Sequence, residues 1–319
     1  MRRPAAKLTL DGSALSAAEA ALVAMHVELG AGGAHDRFRA TVAPGSPAAD
    51  AEPGATAKIE MGYEDGLETV LTGAVTSLDR HPAGVVIEGL AGTAPLSAAW
   101  LGRSYVSQTV GDIVSDLVSS GGGTAGDVSA TLSLSAYHVD ERRTVWAHVR
   151  SLAWLTGAEL TCDADGALNL RPATQASAAA RTLAHGADVI EWDLGPCDPQ
   201  PWDVTVVPFG AASEEGAEKW HVLLKEPEGS SPSSPTLVPG ALRDRDGAQA
   251  LEDALHAAAD RRGLHGSLLL EGDGSLRAGD AVELSNMPSG EDGPYRIAEA
   301  HHMLDVAGFR TLLRVGATA

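Results

Sequence analysis

Hydrophobic and polar positions change their period twice between Ser107 and Arg171, which predicts helix, linker, helix and hairpin in that order. Apolar residues first recur at the i, i+3, i+4, i+7, i+8 spacing of one helical face. They are Val110, Ile113, Val114, Leu117 and Val118. Thr109 with Asp112 resembles a capping box, and Gly121 supplies the stop, so the spacing predicts a helix between these positions.

A second helix is predicted from Thr144, its N-cap, to Gly157, its C-cap. Its apolar side carries Val145, Val149, Leu152 and Leu155. Two short alternating strands then flank the turn at Asp163–Gly166, where Asp-Gly is a strong hairpin signal.

Short strands joined by glycine-containing turns fill residues 7–99, as in a small closed barrel or sandwich. The stretch 16–29 is ambiguous, because its first half would also suit a helix. From Val23 onward every odd position is apolar, which favours a strand.

The last third of the chain echoes the first. A strand over 188–194, another after Trp202, a polar loop or insertion over 214–240 and a helix over 247–262 precede strands that run from Leu264 to the end. GATAKIEMG compares loosely with GDAVELSNM, and the paired strands after each are of similar length. The comparison suggests one β module present twice, although two unrelated β meanders would also look alike.

The order of these elements resembles the phage late control D / baseplate hub family. This family includes the hub half of the spike proteins of type VI secretion and of other contractile injection systems. T-V-x-x-I-V-x-x-L at 109–117, G-x-x-x-x-I-x-x-G-Y at 54–63, L-T-G-x-V-T-S-L at 71–78 and V-x-I-E-G-L-A at 85–91 carry the resemblance. It covers most of the chain.

The resemblance implies an α+β fold in which two small β-barrel-like domains flank a middle region of two helices and a hairpin. The expected domains are 1–99, 100–190 and 191–319, the last with the inserted loop 214–240 and the helix 247–262. The implied function is structural: a homotrimeric hub that adapts the sixfold inner tube to the threefold spike of a phage tail or an injection system.

The charge and composition of the chain limit the kinds of partner that it is expected to bind. The formal net charge is −20, which disfavours binding to nucleic acid. Only two cysteines are present, without metal-ligand spacing, and no apolar segment follows Arg2 and Arg3, so folding in the cytoplasm is expected. No stretch is apolar enough to insert directly into a membrane. Because no spike-like repeat follows the last strand, we expect a separate spike protein, beside the inner tube protein and other baseplate or adaptor proteins.

The sequence predicts no reactive site at its histidines or in its polar clusters. His301 and His302 are neighbours, and side chains of neighbouring strand residues point to opposite faces, so they cannot readily share a metal ion. His138, Asp140 and Glu141 form a polar cluster without a nucleophile motif.

Other polar and aromatic groups have simpler interpretations. Asp163 and Asp165 begin like a calcium loop, but Thr174 occupies the position that requires Glu. Carboxylate pairs at 214–215 and 291–292 carry little information in so acidic a chain. The tryptophans at 146, 154, 192 and 202 are assigned to the core or to a subunit interface, and those at 100 and 220 to exposed contacts.

The sequence therefore predicts no catalytic, cofactor-binding or metal-binding residues, and a protein that is not an enzyme. Two alternatives stay open: a carbohydrate- or peptide-binding β module, and a tail-associated cell-wall hydrolase. A trimer with a central opening would favour the hub, and a monomer with a deep polar cleft would favour either alternative.

Overall fold

The computed structural model describes residues 2–31, 33–172, 181–196, 204–209, 235–261, 263–288 and 290–318. Within these ranges the chain forms 20 strands and three α-helices, with two short 3-10 helices at Pro47–Asp50 and Ala94–Ser97. Predictions that fall on Trp202, Trp220, Cys197 or most of the 214–240 loop lie outside the described residues.

Strands before the first helix are β1 Pro4–Leu10, β2 Ser13–Ser16, β3 Leu22–Gly30, β4 Arg37–Val42, β5 Thr56–Tyr63, β6 Gly66–His81, β7 Gly84–Ala91 and β8 Arg103–Thr109. The middle elements are α1 Val110–Ser120, β9 Ala125–Val128, β10 Ser133–Val139, α2 Val145–Leu155, β11 Ala158–Cys162 and β12 Leu168–Pro172. The remaining elements are β13 Arg181–Ala184, β14 Val189–Pro196, β15 Thr205–Val206, β16 Thr236–Leu237, α3 Arg245–Arg261, β17 Leu264–Glu271, β18 Ala281–Ser285, β19 Gly293–Asp305 and β20 Gly308–Ala317.

Thirteen strands share one sheet, in the order β14-β17-β20-β19-β3-β4-β7-β6-β5-β1-β2, with β18 beside β19 and β13 beside β18. The mostly β architecture with three helices agrees with the α+β prediction. The two predicted barrels are not separate: in the described residues no barrel closes, because β3 and β19 join the two halves into a continuous sheet.

This sheet contains one strand arrangement twice. In the first β module (β1–β7) the order is β3-β4-β7-β6-β5-β1, and in the second β module (β13, β14 and β17–β20) it is β14-β17-β20-β19-β18-β13. The last pair differs in direction, since β1–β5 is antiparallel and β13–β18 is parallel. The echo in the sequence therefore corresponds to an equivalent order of strands.

Irregularities in the sheet repeat together with the strands. The β6–β7 register shifts between Val75 and Ser77, and the β19–β20 register shifts at the equivalent step between Ile297 and Glu299. Because each β-bulge bends and twists its strand, matching bulges give the two modules matching curvature.

Backbone hydrogen bonds around these bulges also match. Gly54 N–H donates to Val75 O (2.8 Å), and Gly279 N–H donates to Ile297 O (2.8 Å). Both glycines have positive φ, 96° and 91°, a conformation that L side chains rarely adopt. The same turn with the same partner thus occurs once in each module.

Both predicted middle helices form with their predicted N-caps. The Thr109 side chain accepts a hydrogen bond from Asp112 N–H, and the Thr144 side chain accepts one from Ala147 N–H. Between the helices the sequence predicted only a linker, but the structure has two strands there, β9 and β10. β10 pairs with β8, which also escaped the sequence pattern.

Two cores result. One lies under the sheet of the two modules, and the other fills the middle region around α1 and α2. Leu251 of α3 and Val206 of β15 belong to the second core, although both come from the last third of the chain. The middle region is therefore built from two separate segments of sequence.

Candidate functional site

The junction between the modules is the feature that the sequence does not reveal. β3 and β19 pair in antiparallel register from Met25–Leu304 to Gly30–Glu299. Met25, Val27 and Leu29 on β3 are 0–2% exposed, and Ala300 on β19 is fully buried. Ladder hydrogen bonds and apolar burial together hold the two modules edge to edge.

His302 lies at this junction and is fully buried. Its Nε2 lies 3.0 Å from Leu276 O and its Nδ1 lies 3.1 Å from Thr311 Oγ1. Since a carbonyl only accepts, Nε2 carries the proton and Nδ1 accepts from the hydroxyl. Burial lowers the pKa of His302 to about 4, so the imidazole is neutral and acts as a structural hydrogen-bonding group.

Asp36 is a second buried titratable group near the junction. Its carboxylate accepts a hydrogen bond from Gly30 N–H at 2.9 Å, where β3 ends. Burial raises the pKa of Asp36 to about 7, against the opposing effects of that hydrogen bond and of Arg277. The group therefore fixes the end of the strand that carries the junction.

Arg277 connects three parts of the molecule. From the loop between β17 and β18 its guanidinium donates to Val70 O (2.9 Å) in β6 and to Cys162 O (3.2 Å) in β11. The second module is thereby hydrogen-bonded to the first module and to the middle region. A single guanidinium does this because its fork presents several donors in fixed directions.

Two more contacts fix the middle region on the modules. Arg296 of β19 forms an ion pair with Glu159 of β11, with Nε–Oε2 at 3.0 Å. Trp146 of α2 packs against His35 (ring centroids 4.4 Å apart) and donates from its indole to Gly33 O. Because these contacts bind each module to the same middle region, they stabilise the relative placement of the modules.

The predicted candidates are distributed rather than assembled into one site. His301 and His302 lie on opposite faces of β19, as predicted, and His301 contacts Glu299 at 3.3 Å. Asp163 accepts from Asp165 N–H and Ala167 N–H, which is the turn chemistry that the sequence indicates.

The polar cluster before α2 is also local structure. His138 bonds to Ser104, and Asp140 accepts from Arg142. The buried histidine nearby is His148, which the sequence did not single out and which contacts Tyr137 Oη and Asp140 O at 3.2 Å each. Its position on the apolar side of α2 is the only sequence signal for this burial.

A surface groove of about 650 Å³ lies on β3, β4 and β7. Its charges neutralise one another, since Arg37 pairs with Glu28 (2.6 Å) and Arg39 pairs with Glu88 (3.5 Å). Across the described residues no group of three His, Cys, Asp or Glu side chains is placed to hold a metal ion. The groove therefore offers a polar surface with paired charges.

The tryptophans divide as follows. Trp146 is buried, Trp192 is half-buried, and Trp100 is 55% exposed, each in agreement with its assignment. Trp154 is 45% exposed on the surface of α2, so of its two assigned places the core is wrong and the subunit interface stays a prediction.

The fold is similar to that of solved tail proteins. The tail protein from Neisseria meningitidis MC58 matches with a TM-score of 0.76 at 16% identity, over 99% of this chain and 97% of that one. The 43 kDa tail protein of prophage MuSo2 from Shewanella oneidensis matches with a TM-score of 0.70 at 16% identity, over 98% of both chains. The chain has the fold of phage tail proteins.

A third similar structure is that of a secretion-system protein. The E. coli c3393 protein, described as a component of the type VI secretion system with similarity to phage T4 tail proteins, matches with a TM-score of 0.62 at 10% identity, over 92% of this chain and 73% of that one. No protein-family profile and no curated protein sequence matches the chain. Within the described residues, no helix has the length and apolarity needed to cross a bilayer.

Proposed function

We propose that the protein is a structural baseplate hub of a phage tail or of a contractile injection system. The observation that carries this proposal is the repeat of one strand order, with its bulges, within one sheet. Three copies of a chain with two equivalent modules present six similar surfaces around a threefold axis. Such a ring matches a sixfold tube on one side and a threefold spike on the other.

The fold of the tail proteins supports this assignment, because the likeness spans both modules and the middle region. In the proposed role the partners are two further copies of the chain, a separate spike protein, the inner tube protein and other baseplate proteins. The protein would assemble in the cytoplasm and become part of a tail-like particle. Its work is mechanical, so none of its side chains needs to act in catalysis.

The mass of the purified chain in solution, alone and mixed with its neighbouring spike protein, tests the proposal. We expect a trimer in at least one of the two samples. A monomer in both, at the highest soluble concentration, would overturn the hub and favour a binding module. The native mass is measured by light scattering after size exclusion, with the protein at several concentrations so that mass action is visible.

A further inference from the structure

The repeat of the two modules makes two equivalent junctions possible, and a single chain forms one of them. Each module has a strand equivalent to β3 and a strand equivalent to β19, and within one chain only β3 and β19 are paired. The counterparts are β14 and the second half of β6. Among the described strands β14 pairs only with β17, and β6 beyond Ala74 pairs only with β7.

The open edge of β14 has the shape of the paired edge of β3. The β3–β4 register shifts between Leu22 and Ala24, and the β14–β17 register shifts at the equivalent step between Val189 and Glu191. The bulge residues Val23 and Ile190 are exposed to similar extents, 49% and 53%. β3 and β14 therefore carry a bulge at the equivalent position, and the bulge residue is exposed in both strands.

The residues after these bulges differ in burial. On β3 the core-side residues Val27 and Leu29 are covered where β19 pairs with it. The equivalent position to Val27 on β14 is Leu194, which is only half-buried, and the next, Pro196, is exposed. An unpaired edge with apolar side chains is what native sheets usually protect.

The other edge mirrors this difference. Ala300 and His302 on β19 are fully buried at the junction, whereas their equivalents Leu78 and Arg80 on β6 are half-buried and exposed. Leu78 and Leu194 both pack partly against the module core. Among the described residues, each of these two edges thus has the apolar residues of a junction without a paired strand to cover them.

We infer that β14 of one copy pairs in antiparallel register with residues 77–81 of β6 in a second copy, repeating the β3–β19 junction between chains. The inference deepens the proposed function by naming its self-association surface. Because the pairing is head to tail, it continues from copy to copy until the ring closes. By equivalence with His26 and Met303, Asp193 lies opposite His81, an acidic residue beside a histidine.

Engineered disulfides test this register. Directly opposed residues in an antiparallel pair have Cβ atoms about 4.5–5.5 Å apart, near enough to cross-link with a small adjustment. We would combine His81→Cys with Asp193→Cys in a Cys197→Ser background. Cys162 can stay, because burial raises the pKa of its thiol to about 12 and leaves little reactive thiolate.

Two variants serve as controls. His26→Cys with Met303→Cys occupies the observed junction and should form a disulfide within one chain. Arg80→Cys with Asp193→Cys places the thiols on opposite faces of the inferred pair and should remain unlinked. Non-reducing electrophoresis detects the cross-links. The native mass and a thermal melt are measured for each variant as well, so that association and folding are known.

The expected result is a reversible covalent trimer from His81→Cys with Asp193→Cys, and no intermolecular cross-link from either control. A native trimer without this cross-link would overturn the inferred strand pairing, while the proposed hub function would still be supported. Covalent oligomers of more than three chains would support the strand pairing and contradict a closed ring of three copies. No self-association in either assay would overturn both.

Discussion

His302 shows how burial converts a titratable residue into a structural one. Its folded pKa of about 4 lies below the ordinary value of 6.5, so between these pH values the unfolded chain binds a proton that the folded chain does not. We therefore expect this group to lower the stability as pH falls from 6.5 toward 4, by about 2–3 kcal/mol in total.

Urea unfolding of the wild type and of His302→Gln at pH 7.5 and pH 4.5 measures this contribution. The difference in unfolding free energy between the two proteins should shrink at the lower pH, because Gln does not titrate. His301→Gln, which changes the neighbouring histidine on the opposite face of β19, is the matched control. An unchanged difference for His302→Gln would show that the pKa of His302 is the same in the folded and the unfolded chain.

Arg277 is the residue whose loss should loosen the most distant contacts. Arg277→Met keeps much of the side-chain volume but leaves the Val70 and Cys162 carbonyls without their donor. We expect a loss of about 2–3 kcal/mol, since an unsatisfied buried acceptor costs about 1–3 kcal/mol. Thermal and urea unfolding give the value.

Arg39→Met supplies the comparison for this experiment. Arg39 forms a surface ion pair with Glu88, and such pairs contribute about 0–1 kcal/mol. If the two variants lost the same stability, the connecting role of Arg277 would be wrong.

At the scale of the elements, the Thr109 cap of α1 can be tested alone. Thr109→Ala removes the acceptor for Asp112 N–H and should cost about 1 kcal/mol, while Thr109→Ser retains it and should cost much less. Circular dichroism during urea unfolding gives both values. Equal losses would mean that packing of the threonine methyl group, rather than the cap, stabilises the start of the helix.

The helices and the 163–166 hairpin could be predicted because their signals are local: apolar spacing, caps and an Asp-Gly turn. β9 could not, since it reads Ala-Gly-Asp-Val and has no apolar alternation. In β10 the alternation of Leu134 and Ala136 with serines breaks at Tyr137, so the pattern is too short to predict a strand. β3 was correctly favoured as a strand from its alternating end, although its partner could not be named. Pairing between distant strands leaves no local pattern.

At the scale of the whole molecule, the β3–β19 junction should make the modules unfold together. Val27→Asp places a carboxylate in a fully buried position at this junction and should accelerate hydrogen exchange in β3 and β19 alike. Val23→Asp changes the exposed bulge residue of the same strand and should affect exchange little. Acceleration confined to the first module would show that the modules are energetically independent. Mass spectrometry of peptides covering both strands reads the result.

The repeat itself was visible in the sequence, since Gly54 and Gly279 open the two stretches that were compared. Its consequence was not, because the joining of the two modules into one sheet depends on strand edges that carry no motif. The junction contacts were equally hidden: Arg277 lies 207 positions from Val70 and 115 from Cys162. No spacing rule connects residues so far apart.

The β3–β19 pairing also has a consequence in time. β3 ends at Gly30 and β19 begins at Gly293, so the ribosome must add more than 260 residues before the first module meets its partner strand. At about 5–20 residues per second this takes roughly 13–50 seconds. Throughout that interval the nascent chain presents a finished, apolar strand edge with nothing to cover it, which makes translation the period when the protein most needs a chaperone.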